Sequence, residues 1–482
     1  MVYDIAIIGA GVVGTQVART LSKYNLKTVL VEKTSDIAMG TTKANSGIVH
    51  AGFDAQTGSL MAKLNVKGCQ MMEEVCKTLF VPYENNGSLV VAFSEEEMAT
   101  IKDLYDRGIA NGIAAEDLEI IDRDRLVELE PNIGPTAVGA LHAKSAGIVS
   151  PYELAIAAAE CAVSNGVEFV RNFEVADIAE ADGVFTLKAA DGKTIETSMV
   201  INVAGLYADV LATMYDESYS KYKIIPRLGE YGLLDRNCAG LCTHTIFQCP
   251  SKMGKGILVS PTTHHNILVG PTSVDMEDKD DLSVRVGALR NTYAIAQKSI
   301  PAATARDQIT SFAGLRAHLD VHDFIIEKSG KNDHFINAIG IESPGLASSP
   351  AIAEFIEDLV LSVIGPQEEK ADWNPSRKAP VFFRNLSFEE QEELIAKDPA
   401  YARIICRCET ITEGEIRDAV RAPAGAIDVD GVKRRTRAGM GRCQGGFCGS
   451  KVMEIIADEL NVDIDTISKF GGNSDIIYER TK

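Results

Sequence analysis

The first thirty or so residues alternate between short apolar runs and one helical pattern. An apolar run at residues 3–8 leads directly into glycines at 9–14, a helical pattern extends to about Tyr24, and a second apolar run follows at Thr28–Val31. Short apolar runs bounded by glycine predict buried strands. A strand, helix and strand within about thirty residues predict a sheet that begins with parallel strands.

Two later segments repeat the combination of an apolar run and a glycine, at residues 200–205 and 335–340. They predict returning strands of the same sheet, which makes the domain built on that sheet discontinuous in sequence. Helical periodicity marks residues 95–111 and 151–165, and residues 87–92 predict a strand.

Residues 224–270 have a different pattern, with short β-rich runs separated by turns containing glycine, proline and histidine. This alternation predicts an antiparallel substrate domain, placed at about residues 222–310. The polar, proline-bearing stretch after Gly365 predicts a linker at 366–400. The expected class is α/β, with a discontinuous Rossmann-like domain and the β-rich domain within 1–365 and a small helical domain at 401–482.

The formal net charge of -20 disfavours nucleic acid and anionic lipid as partners, and it requires local positive charge wherever an anion binds. No apolar stretch of membrane-spanning length is present, and no leader pattern precedes the first strand. We therefore expect a cytoplasmic protein. Because thiols stay reduced there, the ten cysteines are expected to be buried residues or metal ligands rather than disulfides.

The first glycine loop has the spacing of a dinucleotide-binding turn. Gly9, Gly11 and Gly14 provide a tight turn, a close approach of backbone to pyrophosphate and close packing of helix on strand. Glu32, at the end of the next strand, is placed to bind the adenosine ribose. The alternative is a purely structural glycine turn; the strand, helix and acidic residue around the loop favour dinucleotide binding.

Two further segments resemble flavin-contacting motifs of the D-amino-acid oxidase superfamily. They are residues 41–52 and residues 341–350, the second of which opens a helix. The resemblance implies FAD as cofactor. The additional residues expected at the FAD site are Thr41, Thr42, Asn45, Ser46, Gly47, Gly205, Gly345 and Leu346. All these motifs precede residue 366, which predicts FAD binding that is independent of the C-terminal tail.

Within that superfamily, residues 45–52, 60–64 and 225–231 resemble L-2-hydroxyglutarate dehydrogenases and oxidases. Residues 435–448 instead resemble the C-terminus of the A subunit of anaerobic glycerol-3-phosphate dehydrogenases. These resemblances imply oxidation of a secondary alcohol on a small anion, with glycerol 3-phosphate as first choice and a 2-hydroxy acid or an amine as alternatives. They also imply an electron-accepting partner, a flavoprotein or an iron–sulfur subunit, through which the protein could contact a membrane peripherally. A non-catalytic electron-transfer subunit is the less favoured alternative.

Four cysteines of the tail are arranged as C-x-C followed by C-x4-C, namely Cys406, Cys408, Cys443 and Cys448. Four thiolates with this spacing can converge on a soft metal site. A 2Fe-2S cluster is preferred to zinc because structural zinc sites rarely contain a C-x-C pair. The remaining cysteines are interpreted as structural: Cys69, Cys76, Cys161, Cys238, Cys242 and Cys249.

Two residues are predicted to act on substrate. Residues 311–318 resemble the superfamily segment whose arginine binds an anionic substrate, which makes Arg316 the expected anion ligand; a structural ion pair is the alternative. His50 lies in the first of the two flavin-contacting segments, residues 41–52, called here the flavin segment. It is the candidate for accepting the hydroxyl proton. Weaker candidates are His264, His265, His318, Tyr231 and Lys63.

Overall fold

The computed structural model describes residues 1–250 and 256–479. Numbered along the chain, the strands are β1 (Val2–Tyr3), β2 (Ile5–Ile8), β3 (Thr28–Val31), β4 (Ile48–Val49), β5 (Tyr83–Glu84), β6 (Ser88–Ala92), β7 (Leu118–Asp122), β8 (Gly139–Ala143), β9 (Gly147–Val149), β10 (Glu168–Val170), β11 (Val175–Ala181), β12 (Val184–Ala189), β13 (Thr194–Thr197), β14 (Val200–Asn202), β15 (Ile225–Leu234), β16 (Thr245–Gln248), β17 (Leu258–Pro261), β18 (Ile267–Gly270), β19 (Val274–Asp275), β20 (Gln308–His318), β21 (Ile325–Lys328), β22 (Phe335–Ile339), β23 (Ile404–Cys406) and β24 (Ile411–Thr412). The helices are α1 (Val12–Leu21), α2 (Leu60–Thr78), α3 (Glu95–Ala110), α4 (Arg123–Leu129), α5 (Pro151–Ser164), α6 (Ala208–Tyr215), α7 (Val286–Ser299), α8 (Gly345–Ile364), α9 (Phe388–Lys397), α10 (Glu413–Arg421), α11 (Val429–Thr436) and α12 (Gly449–Leu460).

The nucleotide-binding sheet has the strand order β10-β3-β2-β14-β22-β21. All neighbours in it are parallel except β21, which runs antiparallel to β22. The central strands β2, β3, β14 and β22 are buried throughout, as expected for a sheet covered on both faces. Helices α1, α5 and α8 pack together on one face, and the sheet β1-β13-β12-β11 contributes to the core on the other. The predicted discontinuous Rossmann-like domain is confirmed.

The substrate sheet has the order β19-β15-β18-β17-β16-β6-β8-β7, and β20 pairs with β15. Its pairings are antiparallel except for β16 with β6. Strands β6, β7 and β8 lie well before residue 222, so this sheet draws on more of the chain than the predicted range of 222–310. The long pair β15 and β20 extends from this sheet toward the nucleotide-binding domain.

The tail forms a small domain of helices α10, α11 and α12 around one apolar core, with the short ribbon β23-β24 beside it. The predicted helical domain is confirmed. The segment before this domain, predicted as a linker at 366–400, contains a helix. This helix, α9, begins with a capping box formed by Ser387 and Glu390. Lys370 holds this segment against the nucleotide-binding domain by donating to the carbonyl oxygens of Ser22 and Asn165 at 3.0 and 2.6 Å.

Buried charges join the small domain to both larger domains. Glu409, almost fully buried, pairs with Arg437 of its own domain and with Arg236 of the substrate domain. Asp36 of the nucleotide-binding domain pairs with Arg434 and Arg435. None of the described helices combines the length and apolar character needed to cross a membrane.

Candidate functional site

A cavity of about 1550 Å³ extends along the nucleotide-binding domain and beneath the substrate sheet. Most of the residues predicted to bind cofactor or substrate line it. The lining members are Gly9, Gly11, Glu32, Thr41, Thr42, Asn45, Ser46, His50, Gly205, Arg316, Gly345 and Leu346. Gly14 and Gly47 do not line the cavity and instead support its walls.

The glycine loop between β2 and α1 presents main chain to the cavity. Gly14 packs behind the loop, where a β-carbon would lie only 1.9 Å from the carbonyl oxygen of Gly9. Helix α1 begins at Val12, and its N-cap residue, Gly11, has no side chain, so the dipole of this end favours an anion in the cavity. Glu32 accepts a hydrogen bond of 2.9 Å from the amide of Ala10, which fixes its carboxylate beside this loop.

The segment after the glycine loop is held by its own polar side chains. Asn45 Nδ2 donates to the carbonyl oxygens of Thr41 and Thr42 at 3.2 and 2.9 Å, and Asn45 Oδ1 accepts from the amide of Gly47 at 2.8 Å. Thr42 Oγ1 accepts from the amide of Val12 at 3.0 Å, which joins this segment to α1. The local sequence thereby folds into a rigid polar wall along the cavity.

Arg316 is positioned on β20 opposite Arg227 of β15. Gly314 allows β20 to approach the flavin segment, since a β-carbon there would lie 1.9 Å from the carbonyl oxygen of Ala44. Gly229 leaves room for the guanidinium of Arg316, because a β-carbon at Gly229 would lie 3.0 Å from Arg316 Nη2. Tyr231 lines the same region; burial raises the pKa of its phenol, while Arg316 and Ser46 act in the opposite direction.

His50 lies on the cavity wall near the start of α8. Its ring stacks on Phe247 with centroids 5.7 Å apart, and its Nε2 lies 3.4 Å from Ser343 Oγ. Its carbonyl oxygen accepts a hydrogen bond of 2.7 Å from Asn65 Nδ2. These contacts hold both the backbone and the ring of His50.

The weaker sequence candidates separate into two groups. Tyr231 and His318 line the cavity, whereas His264, His265 and Lys63 do not. His318 bonds Glu342 Oε1 at 2.8 Å, and buried His264 bonds Glu153 Oε1 at 2.7 Å.

Sequence reasoning missed several lining residues. Lys43 is one of them; burial and the nearby charge of Arg434 lower its pKa to about 8. Ser343 and Phe247 are others, and they become visible as site residues only through their contacts with His50. Phe470, Gly471, Gly472 and Asn473 also line the cavity, so its wall is not built from the first 365 residues alone.

The four tail cysteines lie in two pairs. Cys408 Sγ and Cys443 Sγ are 3.6 Å apart. The thiol of Cys448 bonds Cys406, which lowers the pKa of Cys406 to about 6 and raises that of Cys448.

Two sulfur pairs fit two irons better than one zinc. A tetrahedral zinc site would bring all four sulfurs to within about 3.8 Å of one another, from its usual Zn–S length. Among the residues that the structure describes, one group of His, Cys, Asp or Glu side chains brings three ligand atoms within 4.8 Å of one another, and it consists of His318, His322 and Glu342. The four cysteine sulfurs therefore do not gather into one compact tetrahedral site. Two pairs, each able to hold one iron, are the arrangement that a 2Fe-2S cluster requires.

The cavity likewise fits FAD. It is large and continuous from Glu32 to Arg316, and it includes main chain of the glycine loop and the N-terminus of α8. The N-termini of α1 and α8 both favour negative charge, as pyrophosphate and a reduced flavin ring require.

The comparisons with known proteins agree with both sites. The family described as FAD dependent oxidoreductase matches residues 4–359, and the BFD-like 2Fe-2S binding domain matches residues 404–458. A glycerol 3-phosphate dehydrogenase of Caloramator mitchellensis is 47% identical, with 100% of this chain and 99% of the relative covered. An L-2-hydroxyglutarate dehydrogenase of Escherichia coli is 28% identical, with 78% and 96% covered.

Among solved structures, the dithionite-reduced L-alpha-glycerophosphate oxidase of Mycoplasma pneumoniae with FAD bound superposes with a TM-score of 0.72. It is 31% identical, and the match covers 78% of this chain and 98% of that one. The predictions of FAD and of a C-terminal 2Fe-2S domain are confirmed.

Proposed function

Because the chain belongs to the FAD dependent oxidoreductase family, we propose that it oxidises glycerol 3-phosphate to dihydroxyacetone phosphate and exports the electrons through its 2Fe-2S domain. The observation that carries this proposal is the convergence of Arg316 and His50 on the cavity that the flavin segment lines. An anion ligand and a proton acceptor are the two groups that this reaction needs from the protein.

Arg316 is the anion ligand. A guanidinium offers paired donors that match phosphate or carboxylate. Its neighbour Arg227 is bound to Asp275 by two hydrogen bonds of 2.6 and 3.1 Å. These three residues together bring one net positive charge to a protein whose overall charge is -20, which supports capture of a small anion at this place.

His50 is the catalytic base, taking the proton of the C2 hydroxyl on Nε2. When bound, FAD accepts the C2 hydrogen as a hydride, and the cluster carries electrons one at a time. Ser343, through its contact with Nε2, and Phe247, through stacking, keep the imidazole directed along the cavity wall. A substrate hydroxyl would replace or share the Ser343 contact.

Glycerol 3-phosphate is preferred to a 2-hydroxy acid for two reasons. The full-length similarity is to a glycerol 3-phosphate dehydrogenase, whereas the similarity to 2-hydroxyglutarate enzymes is lower and leaves part of the chain uncovered. A dicarboxylate also places its second negative group at a distance from Arg316, and Arg227, the guanidinium next to Arg316, is already paired with Asp275. The 2-hydroxy acid therefore stands as the second candidate and an amine as the third.

The electron acceptor is proposed to be a protein, a flavoprotein or an iron–sulfur subunit, that docks beside the cluster. Cys408 is exposed, and Phe447, between two cluster ligands, has 88% of its surface exposed. An exposed aromatic side chain beside a redox centre suits a transient protein contact. The exposed cation Arg407 lies between two ligands in the sequence, which favours an acidic partner.

We also place the protein in the reducing cytoplasm. All ten cysteines are free thiols, and four of them are needed as cluster ligands.

A substrate panel tests the function. The protein containing both cofactors is mixed anaerobically with glycerol 3-phosphate, L-2-hydroxyglutarate or glycine, and bleaching of the flavin is followed. Rapid bleaching by glycerol 3-phosphate alone supports the proposal. Faster bleaching by 2-hydroxyglutarate or glycine overturns the substrate assignment, and no bleaching by any of them favours a non-catalytic electron-transfer subunit.

A further inference from the structure

Residues 468–475, called here the C-terminal loop, form a compact turn at the end of the small domain. Lys469 N donates to the carbonyl oxygen of Ser474 at 2.8 Å, and Ser474 Oγ donates to that of Gly471 at 2.6 Å. The amide of Phe470 donates to Ser474 Oγ at 2.9 Å. The loop therefore keeps its shape through its own hydrogen bonds.

This loop packs on Ser35 of the nucleotide-binding domain. Ser35 Oγ lies 2.9 Å from the carbonyl oxygen of Phe470 and 2.7 Å from Asp428 Oδ2. Gly471, at φ +80°, fits so closely that a β-carbon would lie 2.4 Å from Ser35 Oγ and 2.5 Å from its Cβ. Any side chain at position 471 would thus push the loop away from Ser35.

The contact identifies which end of the FAD cavity the loop covers. Glu32 follows β3 and stands where the ribose of a dinucleotide is bound in this type of fold. Ser35 lies three residues beyond Glu32, and both line the cavity together with Phe470, Gly471, Gly472 and Asn473. The loop therefore forms part of the wall at the adenosine end.

We propose that the C-terminal loop of the iron–sulfur domain closes the adenosine end of the FAD site, so that FAD leaves at an appreciable rate only after the loop has moved off Ser35. The buried pairs of Asp36 with Arg434 and Arg435 hold the same corner of the two domains together. Retention of FAD thereby depends on docking of the domain that carries the cluster. The inference concerns the cofactor and is independent of the substrate assignment.

Two glycines at positive φ provide a matched test. Gly471→Ala and Gly183→Ala both place a methyl group on a positive-φ position, but Gly183 is exposed in the turn between β11 and β12, does not line the cavity, and a β-carbon there meets nothing within 4 Å. The protein loaded with FAD and cluster is diluted, and release of FAD is followed by the rise of flavin fluorescence; the visible absorbance of the cluster reports that the small domain remains folded. We expect at least tenfold faster release for Gly471→Ala and less than a twofold change for Gly183→Ala.

Two further variants keep the test decisive. Ser35→Gly removes the two atoms that the new methyl would meet, so Ser35→Gly combined with Gly471→Ala should release FAD no faster than Ser35→Gly alone. Ser35→Ala, which adds no bulk, should accelerate release by removing the contacts with Phe470 and Asp428. Equal rates for the two single glycine variants with the cluster intact, or an unchanged rate for Ser35→Ala, would overturn the proposal.

Discussion

Arg435 donates hydrogen bonds of 2.8 and 2.9 Å to the two carboxylate oxygens of Asp36, although 399 positions separate these residues in the chain. Asp36 is completely buried and also binds Arg434. Burial acts to raise the pKa of Asp36, but the two guanidiniums outweigh it and hold that pKa well below its ordinary value near 3.8. The iron–sulfur domain is therefore attached through an ion cluster that is shielded from solvent.

Asp36→Asn should destabilise the protein by about 3–5 kcal/mol, because it leaves two buried guanidiniums without their counter-ion. Since the folded pKa is depressed, the carboxylate stabilises the native state above its unfolded pKa, and this contribution is lost as the pH falls from near 3.8 toward the folded pKa. Urea unfolding at neutral and acidic pH measures the difference. Asp191→Asn, at an exposed pair with Lys193, should leave the midpoint unchanged, and an equal effect of both variants would contradict the role of Asp36.

Arg316→Lys should lower kcat/KM for glycerol 3-phosphate by roughly 10- to 150-fold, the equivalent of one charged hydrogen bond of about 1.5–3 kcal/mol. An ammonium retains the charge but cannot reproduce two parallel donors. Steady-state kinetics with a dye acceptor measure the change. Arg290→Lys makes the same substitution on an exposed face of α7, and a wild-type kcat/KM for Arg316→Lys would exclude Arg316 as the anion ligand.

Much of the cofactor domain could be predicted from sequence because its signals are local. Strands β2, β3, β14 and β22 are short apolar runs that end near glycine, and each of them was predicted close to its observed position. The 2Fe-2S domain is likewise predicted from the spacing of four tail cysteines, whose individual roles as ligands stay a prediction. Local patterns of this kind are set by the geometry of one turn or one strand.

The remaining features depend on contacts between distant segments. The parallel pairing of β16 with β6 joins residues 245–248 to residues 88–91, and neither run specifies its partner. Ser35 and Gly471 meet only because two domains dock, and no periodicity within either segment reports that docking. The sequence prediction of FAD binding independent of the tail overlooked this contact for that reason.

His50→Gln should reduce kcat by roughly 100- to 10,000-fold, the usual contribution of a positioned general base, while changing KM much less. The amide is of similar size but cannot take up the hydroxyl proton near neutral pH. Single-turnover bleaching of the flavin measures this step directly. His265→Gln is the control, because His265 is exposed and does not line the cavity; if the two variants reduce flavin equally fast, another group is the base.

Phe447→Ala should weaken electron transfer to a protein acceptor without affecting reduction of the flavin, because its ring lies outside the FAD cavity. An acidic ferredoxin and ferricyanide are suitable acceptors, since the second requires no docking surface. Phe388→Ala removes a ring of similar exposure, 84%, on α9. The docking role is contradicted if both variants lower ferredoxin reduction to the same extent, or if Phe447→Ala lowers ferricyanide reduction equally.

Cys443→Ser should separate the two half-reactions of the enzyme. A serine hydroxyl is a poor ligand for iron compared with a thiolate, so the variant should lose the cluster, whereas the glycine loop and flavin segment keep their residues. With FAD in excess, so that faster release does not empty the site, flavin bleaching by substrate should persist, and turnover with the protein acceptor should fall to near zero. Cys238→Ser alters a half-buried cysteine outside the cluster and should retain both reactions. Full turnover by a Cys443→Ser protein that lacks the cluster would show that electrons leave by another route. Stoichiometric zinc without iron in the wild-type protein would show that the four cysteines hold a different metal.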